Sequence, residues 1–408
     1  MSTLSSDFSN DPQPPPIGPV ALFLTFLRFG CLAFGGPVAQ IAMIRRELIE
    51  ERRWMAPAHF NRLLAVMQVL PGPEAHELCV HLGIRAGGRL GGILAGLGFM
   101  LPGLILMMAL AWAYVTFGTS DPAVAAALLG IQVAVIAVIV RAVHRIGQHI
   151  LEDRLLWALA VVAAIATLIG TSFWLVLAAS GLIYALARSG RAWLAGLTAA
   201  VAVLAAGASL VLTLDTTGGW PGAIVPTTVQ TVGVLALFVA GLKAGMLTFG
   251  GAYTSIPYVR ADTVGRGWIT DGQFLDGVAL GGILPAPLVI FCTFVGYVAG
   301  GPWGALAITA GVFLPAFAFS LIFYERLERV MDMSGLQTLL SGVAAGVVGI
   351  IAATTLQLAT ATAHRVPGIW PALLIFAAAL AIVYLWKHKL AAAVIVGLAG
   401  IAGALVFG

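Results

Sequence analysis

The chain has 408 residues, 60% of them hydrophobic and only 9% charged, with a formal net charge of +4. A soluble domain carries about 25% charged residues, so this composition excludes a water-solvated globular surface and leaves much of the exterior to lipid. Apolar runs of the roughly 20 residues that a spanning helix needs recur from end to end, and the period-two alternation of a membrane β-barrel dominates nowhere.

The expected fold class is therefore an all-α polytopic membrane protein. The small positive charge points to no nucleic-acid partner, because the arginines lie mostly in short loops where the positive-inside rule places them. Cys31, Cys79 and Cys292 all lie in apolar runs and read as small buried hydrophobes.

Residues 1–17 form a polar tail ending in a proline-rich stretch, Asp11-Pro12-Gln13-Pro14-Pro15-Pro16, of the kind expected to be disordered. It has no basic n-region, so it does not read as a cleaved signal peptide. A first membrane unit is expected over 18–213. Its first apolar run, about 18–43, holds Arg28 deep among apolar neighbours and breaks at Gly35-Gly36-Pro37. An arginine-rich loop over 44–62 follows, then a segment over 60–86 interrupted by Pro71-Gly72-Pro73, then apolar runs over roughly 89–117, 122–146, 154–170, 172–188 and 192–213. Residues 214–227, rich in Gly, Thr and Pro, are the expected linker, and 228–408 the second unit.

The second unit repeats the first. Phe34-Gly35-Gly36 returns as Phe249-Gly250-Gly251, Arg28 as Lys243 and Glu47 as Asp262, all at an offset of 215. Trp54 matches Trp268, and Pro71 and Pro73 match Pro285 and Pro287, at 214. Cys79 matches Cys292, and Leu101-Pro102 matches Leu314-Pro315, at 213. Duplicated halves with broken helices are a transporter device, with the substrate near the midplane between them. If 60–86 crosses once as a broken helix, the first half crosses seven times and the second half is inverted; if it is re-entrant, six crossings make the halves parallel. The crossing, inverted arrangement is preferred because it puts most of the paired arginines on one side.

Arg28 and Lys243 are the candidate substrate cations. Charges at such depth usually face a cavity or a partner, so a structural ion pair with an acid from another helix is the competing reading; the repetition of the charge favours substrate contact. The breaks are the candidate backbone donors: Gly35, Gly36 and Pro37; Pro71, Gly72 and Pro73; Gly250 and Gly251. Proline starts a helix well, glycine lets a ligand approach closely, and the amides of the new half-helix favour an anion. An ordinary proline kink is the alternative. Ala252 stands where Pro37 would recur, and Ala286 where Gly72 would.

The helix after Pro73 sets Glu74, Glu77 and His81 on one face. Acids in a first turn are stabilised by the helix dipole; buried carboxylates can also bind and release a proton, so these three are the candidate proton-coupling residues. The second half has Leu288, Ile290 and Phe294 there, so the titratable face occurs once. His76 and Glu77 do not make a zinc motif, since the position four residues after His76 is Val80. There is no phosphate-binding loop for ATP, and no metal, cofactor or catalytic residue is expected. A membrane-embedded enzyme acting on a lipid or an oxyanion is the rival class, without a nucleophile to support it.

Phe-Gly-Gly-Pro at 34–37, Pro-Gly-Pro-Glu-Ala at 71–75, Phe-Gly-Gly at 249–251 and Phe-Val-Gly-Tyr at 294–297 resemble the chromate ion transporter family. The resemblance spans both halves in order. It implies a multi-pass inner-membrane secondary carrier that exports chromate, confers chromate resistance and has oppositely oriented halves, with sulfate as the natural competitor. Transport of sulfate or another oxyanion is the alternative reading, and a homodimer is the assembly considered.

Overall fold

The computed structural model describes residues 11–34, 36–67, 72–117, 121–217, 232–248, 251–323, 334–386 and 391–408. The first half contains α1 (Pro19–Leu32), α2 (Gly36–Ile44) running into a π-helical stretch (Arg45–Glu51), α3 (Pro57–Met67), α4 (Glu74–Phe117), α5 (Pro122–Ile150), α6 (Arg154–Leu168), α7 (Phe173–Arg188) and α8 (Ala192–Thr217). The second half follows the same order. It contains α9 (Val234–Met246), a 3-10 turn (Ala252–Ser255) entering α10 (Ile256–Thr263), and α11 (Asp271–Ile283). A second 3-10 turn (Leu288–Ile290) enters α12 (Phe291–Phe323), followed by α13 (Ser334–Ala363), α14 (Ile369–Leu385) and α15 (Ala391–Phe407). The described residues contain no β-strand, and α8 has no counterpart among them in the second half. Of the expected linker, 214–217 close α8, and 218–227 lie outside the described residues.

Local chemistry sets the helix starts. Proline occupies the first turn of α1 and α5, Asp121 and Asp153 accept from the opening amides of α5 and α6, and Thr270 with Gln273 forms a capping box on α11. Two helices fold back on themselves. In α4, Gly87 and Gly88 leave helical geometry, with Gly88 at φ +62°, and arms 74–86 and 89–117 run antiparallel. Gly83 lies so close to Gly91 that a Cβ on either would meet the other's carbonyl. α12 turns the same way at Gly300–Gly301, with Gly296 against Gly304.

The expected single crossing by 60–86 is not what the chain does. The Arg85 Nε, at the end of the first arm of α4, donates to the Trp54 carbonyl at 3.2 Å, just before α3 begins. Arg85 also pairs with Asp11, which accepts from the Ala56 amide at 2.7 Å and contacts His59 Nδ1 at 2.8 Å. The start of α3 and the end of the first arm of α4 thus lie at one face, and 57–86 is a re-entrant hairpin with its tip inside. The same holds for α1 and α2. Phe26 meets Trp54 edge-on, Arg28 pairs with Glu47, and Gln40 reaches Ala33 near the tip, so the two segments run antiparallel. In the second half, Gly277 packs on Phe294 and Gly281 on Phe291, folding α11 back against α12.

The halves are nevertheless inverted. α5 and its repeat equivalent α13 run antiparallel: Gln132 accepts from Arg365, just past the end of α13, at 2.8 Å, while Gly147 further along α5 faces Val348 further back. Two re-entrant hairpins add no crossings. The preferred count of seven took both 18–43 and 60–86 as crossings, whereas both segments fold back, and removing two passes leaves the inverted arrangement unchanged.

The halves also interlock. α5 packs on α14 and α15, and α13 packs on α6 and α7. Gly130 and Gly403 let the backbones of α5 and α15 touch, and Gly349 does so for α13 and α6. Small residues at such contacts are how helices pack tightly in lipid.

Candidate functional site

Four hairpin tips, two from each face, meet inside the protein. The Gly72 amide donates to the Thr248 carbonyl at 2.8 Å, joining the second break of the first half to the first break of the second half. Gln40 makes the reciprocal junction with its side chain. Its Nε2 donates to Ala33 at 2.8 Å and to Ala286 at 2.9 Å, and the residue is 1% exposed. Ala33 and Thr248 are repeat equivalents, as are Gly72 and Ala286. The junction therefore obeys the two-fold relation, with a direct backbone bond on one side and a glutamine bridge on the other. Sequence reading missed Gln40, because its partner contacts lie 7 and 246 residues away and its equivalent is Ser255, which instead bonds Ala252.

The glycine breaks have the geometry their composition implies. Gly36 has φ +77° and Gly251 φ +124°, values that favour glycine over residues with a Cβ. Neither has an atom within 4 Å of where a Cβ would stand, although Gly251 is buried. There is open space beyond both tips. Pro37 opens α2 directly after Gly36. Gly35, Pro71 and Gly250 lie outside the described residues. Gly72, at φ +150°, has its missing side chain's place taken by the Glu77 carboxylate and Ala316. Pro73 begins the first turn of α4, accepting from the amides of His76 and Glu77.

The predicted cations do not sit free at the tips. Arg28 pairs with Glu47, which also takes Arg52 at 2.7 Å. Lys243 reaches Asp262 at 2.9 Å, which also takes Arg266 at 3.3 Å. The structural ion pair is thus the arrangement found, in both halves, and each acid is shared by two cations. The acid partners were visible in the sequence as repeat equivalents. Lys243 also lies 4.7 Å from the Phe173 ring centroid and is less exposed than Arg28.

Glu74, Glu77 and His81 are all buried on the first arm of α4. Neither Glu77 carboxylate oxygen has a hydrogen-bond partner among the described residues. His76 packs edge-on against Phe313 and Phe317 of α12, with ring centroids 4.8 and 4.7 Å away. His81 lies further from the tip, close enough to feel the charges of His59 and Arg85. Arg145 of α5, an exposed cation that sequence reading did not single out, is within electrostatic reach of both Glu74 and Tyr253. No group of metal-binding side chains occurs among the described residues.

The tips thus bring helix N-termini, open space bounded by glycine, and buried carboxylates into one centre. The family described as chromate transporter matches residues 20–186 and 235–404. A chromate transport protein of Pseudomonas aeruginosa is 59% identical over 404 residues, covering 99% of this chain and 96% of its own. One from Cupriavidus metallidurans is 31% identical, covering 88% and 90%. A probable chromate transport protein of Synechococcus elongatus is 30% identical, covering 93% of each. No solved structure matches. With both repeats matched in order and the length of these relatives shared almost throughout, the chain belongs to the chromate transporter family.

Proposed function

We propose that this protein exports chromate across the cell's inner membrane as a multi-pass secondary transporter and thereby confers chromate resistance. The observation that carries the reading is the meeting of four broken hairpins around open space beyond Gly36 and Gly251, in a chain of the chromate transporter family. The backbone N–H groups of Gly36, Glu74 and Gly251 face the anion, Pro37 and Pro73 set the helix starts that aim them, and Gly35, Pro71, Gly72 and Gly250 are assigned to the same substrate site. The shared acids leave each half with one cation in excess, Arg28 with Arg52 on Glu47 and Lys243 with Arg266 on Asp262. These trios offset the charge of the dianion from a distance. Glu74, Glu77 and His81 carry the coupled proton.

Inverted halves support alternating access, because the same contacts can open to either face in turn. The test is chromate uptake into everted membrane vesicles from cells expressing the protein, with and without excess sulfate, alongside growth on chromate. Energised uptake and added resistance are expected, with sulfate competing as a dianion of like shape. Vesicles that take up no chromate, or that take up sulfate alone, would overturn the proposal.

A further inference from the structure

The Glu77 carboxylate occupies an unusual position. It is fully buried, neither oxygen has a hydrogen-bond partner among the described residues, and it lies against Gly72, whose amide clasps Thr248 of the opposite half. The helix it belongs to starts at this tip, where the first amides have no carbonyl behind them. Gly72 packs on it, with Ala316 beside Gly72, and Glu74 on its own helix is the charged neighbour acting on it. The titratable groups facing this arm further out are His81, His59 and Arg85, and Arg145 of α5 acts on Glu74.

We infer that Glu77 holds a proton in the same state that holds the oxyanion, so that proton and anion cross together in one direction. This rests on the transport reading above. An ionised carboxylate at the tip is an acceptor only. It would repel an incoming dianion and leave its own charge without a donor or cation, which is costly in a buried place. The neutral carboxyl is a donor. Its O–H supplies to an oxyanion oxygen what the amides at the helix start supply, and the Glu77 oxygen that faces Gly72 no longer carries charge against the inter-half clasp. One proton with a dianion still moves one net negative charge, and a membrane negative inside drives that charge outward. Export then needs no exchange for incoming protons. The second half has Ile290 at the equivalent position, with no carboxyl there to match Glu77, so the proposal assigns one proton per anion.

The experiment uses the purified full chain in proteoliposomes with the membrane potential held at zero by potassium and valinomycin. Labelled chromate is added outside, with the lumen about one pH unit above or below an exterior held at about pH 8. Chromate is the dianion there. Accumulation of about tenfold in the more alkaline lumen is expected for one proton per anion, and none in the more acidic lumen. Glu77→Gln exchanges chromate more slowly, and its residual exchange ignores the gradient. Accumulation in the acidic lumen, or a gradient response in Glu77→Gln equal to that of the unmodified protein, would overturn the inference. Exchange of labelled for unlabelled chromate without any gradient reads transport itself, so its absence would instead sink the transport reading on which the inference stands.

Discussion

Lys243 Nζ lies 2.9 Å from Asp262 Oδ2, and at the same places in the other half Arg28 holds Glu47. The two pairs are equivalent by sequence but not by surroundings. Asp262 has a side chain 8% exposed and Lys243 21%, whereas Glu47 is 20% and Arg28 52% exposed. Breaking a pair costs more where the orphaned charge is buried and little where solvent screens it.

Lys243→Ala should therefore lower stability by about 2 kcal/mol, and Arg28→Ala by less than about 1 kcal/mol. Thermal unfolding of the purified variants in one detergent checks the ranking. Lys243→Met with Asp262→Leu should recover much of the loss, because the one charge left over, Arg266, has an exposed side chain that water solvates. Equal effects from the two single variants would mean that the halves are balanced at these sites.

Gln40 bridges two carbonyls from opposite halves, 2.8 and 2.9 Å away. Replacing it with leucine leaves both buried acceptors unpaired, at a cost of about 2 kcal/mol. Transport should fall more than the thermal shift alone predicts, because the lost bonds join the halves at the tips. A Gln40→Leu protein with full transport would show that the bridge is dispensable.

Gly72 and Gly36 should answer differently to alanine. At Gly72 a Cβ meets the Glu77 carboxylate and Ala316, so Gly72→Ala should lose at least about tenfold in transport by displacing that side chain. At Gly36 nothing is struck, and the cost is the φ +77° backbone alone, about 1–2 kcal/mol. Initial rates in vesicles, with expression levels matched, separate the two.

The re-entrant hairpins predict which residues share a face. With Cys31, Cys79 and Cys292 replaced, a cysteine at Ala56 and one at Gly88 should react with an impermeant thiol reagent from the same side. One at Gly301 should react from the opposite side. Labelling of Ala56→Cys and Gly88→Cys from different sides would restore the crossing arrangement for 60–86.

Much of this architecture was legible in the residues. The duplication, the paired charges and the breaks follow from composition and constant offsets, because a repeat preserves spacing even as side chains drift. The titratable arm was legible for a similar reason, since Glu74, Glu77 and His81 share one helical face. Other features were hidden. Hydropathy does not distinguish a helix that crosses from one that enters and returns, and Arg85 on Trp54 and Asp11 is a contact between distant positions. The bridge by Gln40 to Ala286 and the electrostatic reach of Arg145 to Tyr253 arise from packing between halves, and its reach to Glu74 from packing within one half, none of which a local pattern encodes. The sharp reading of Arg28 as a free cation in the pathway gave way to a shared ion pair because Glu47 returns beside it on the second limb of the hairpin.

The central claim is that chromate passes where the four tips meet. Its most direct measurement is counterflow: vesicles holding the purified protein and unlabelled chromate, diluted into labelled chromate without any gradient. The account predicts rapid, transient accumulation of label that protein-free vesicles lack and that excess unlabelled chromate outside abolishes. No accumulation above protein-free vesicles would contradict it.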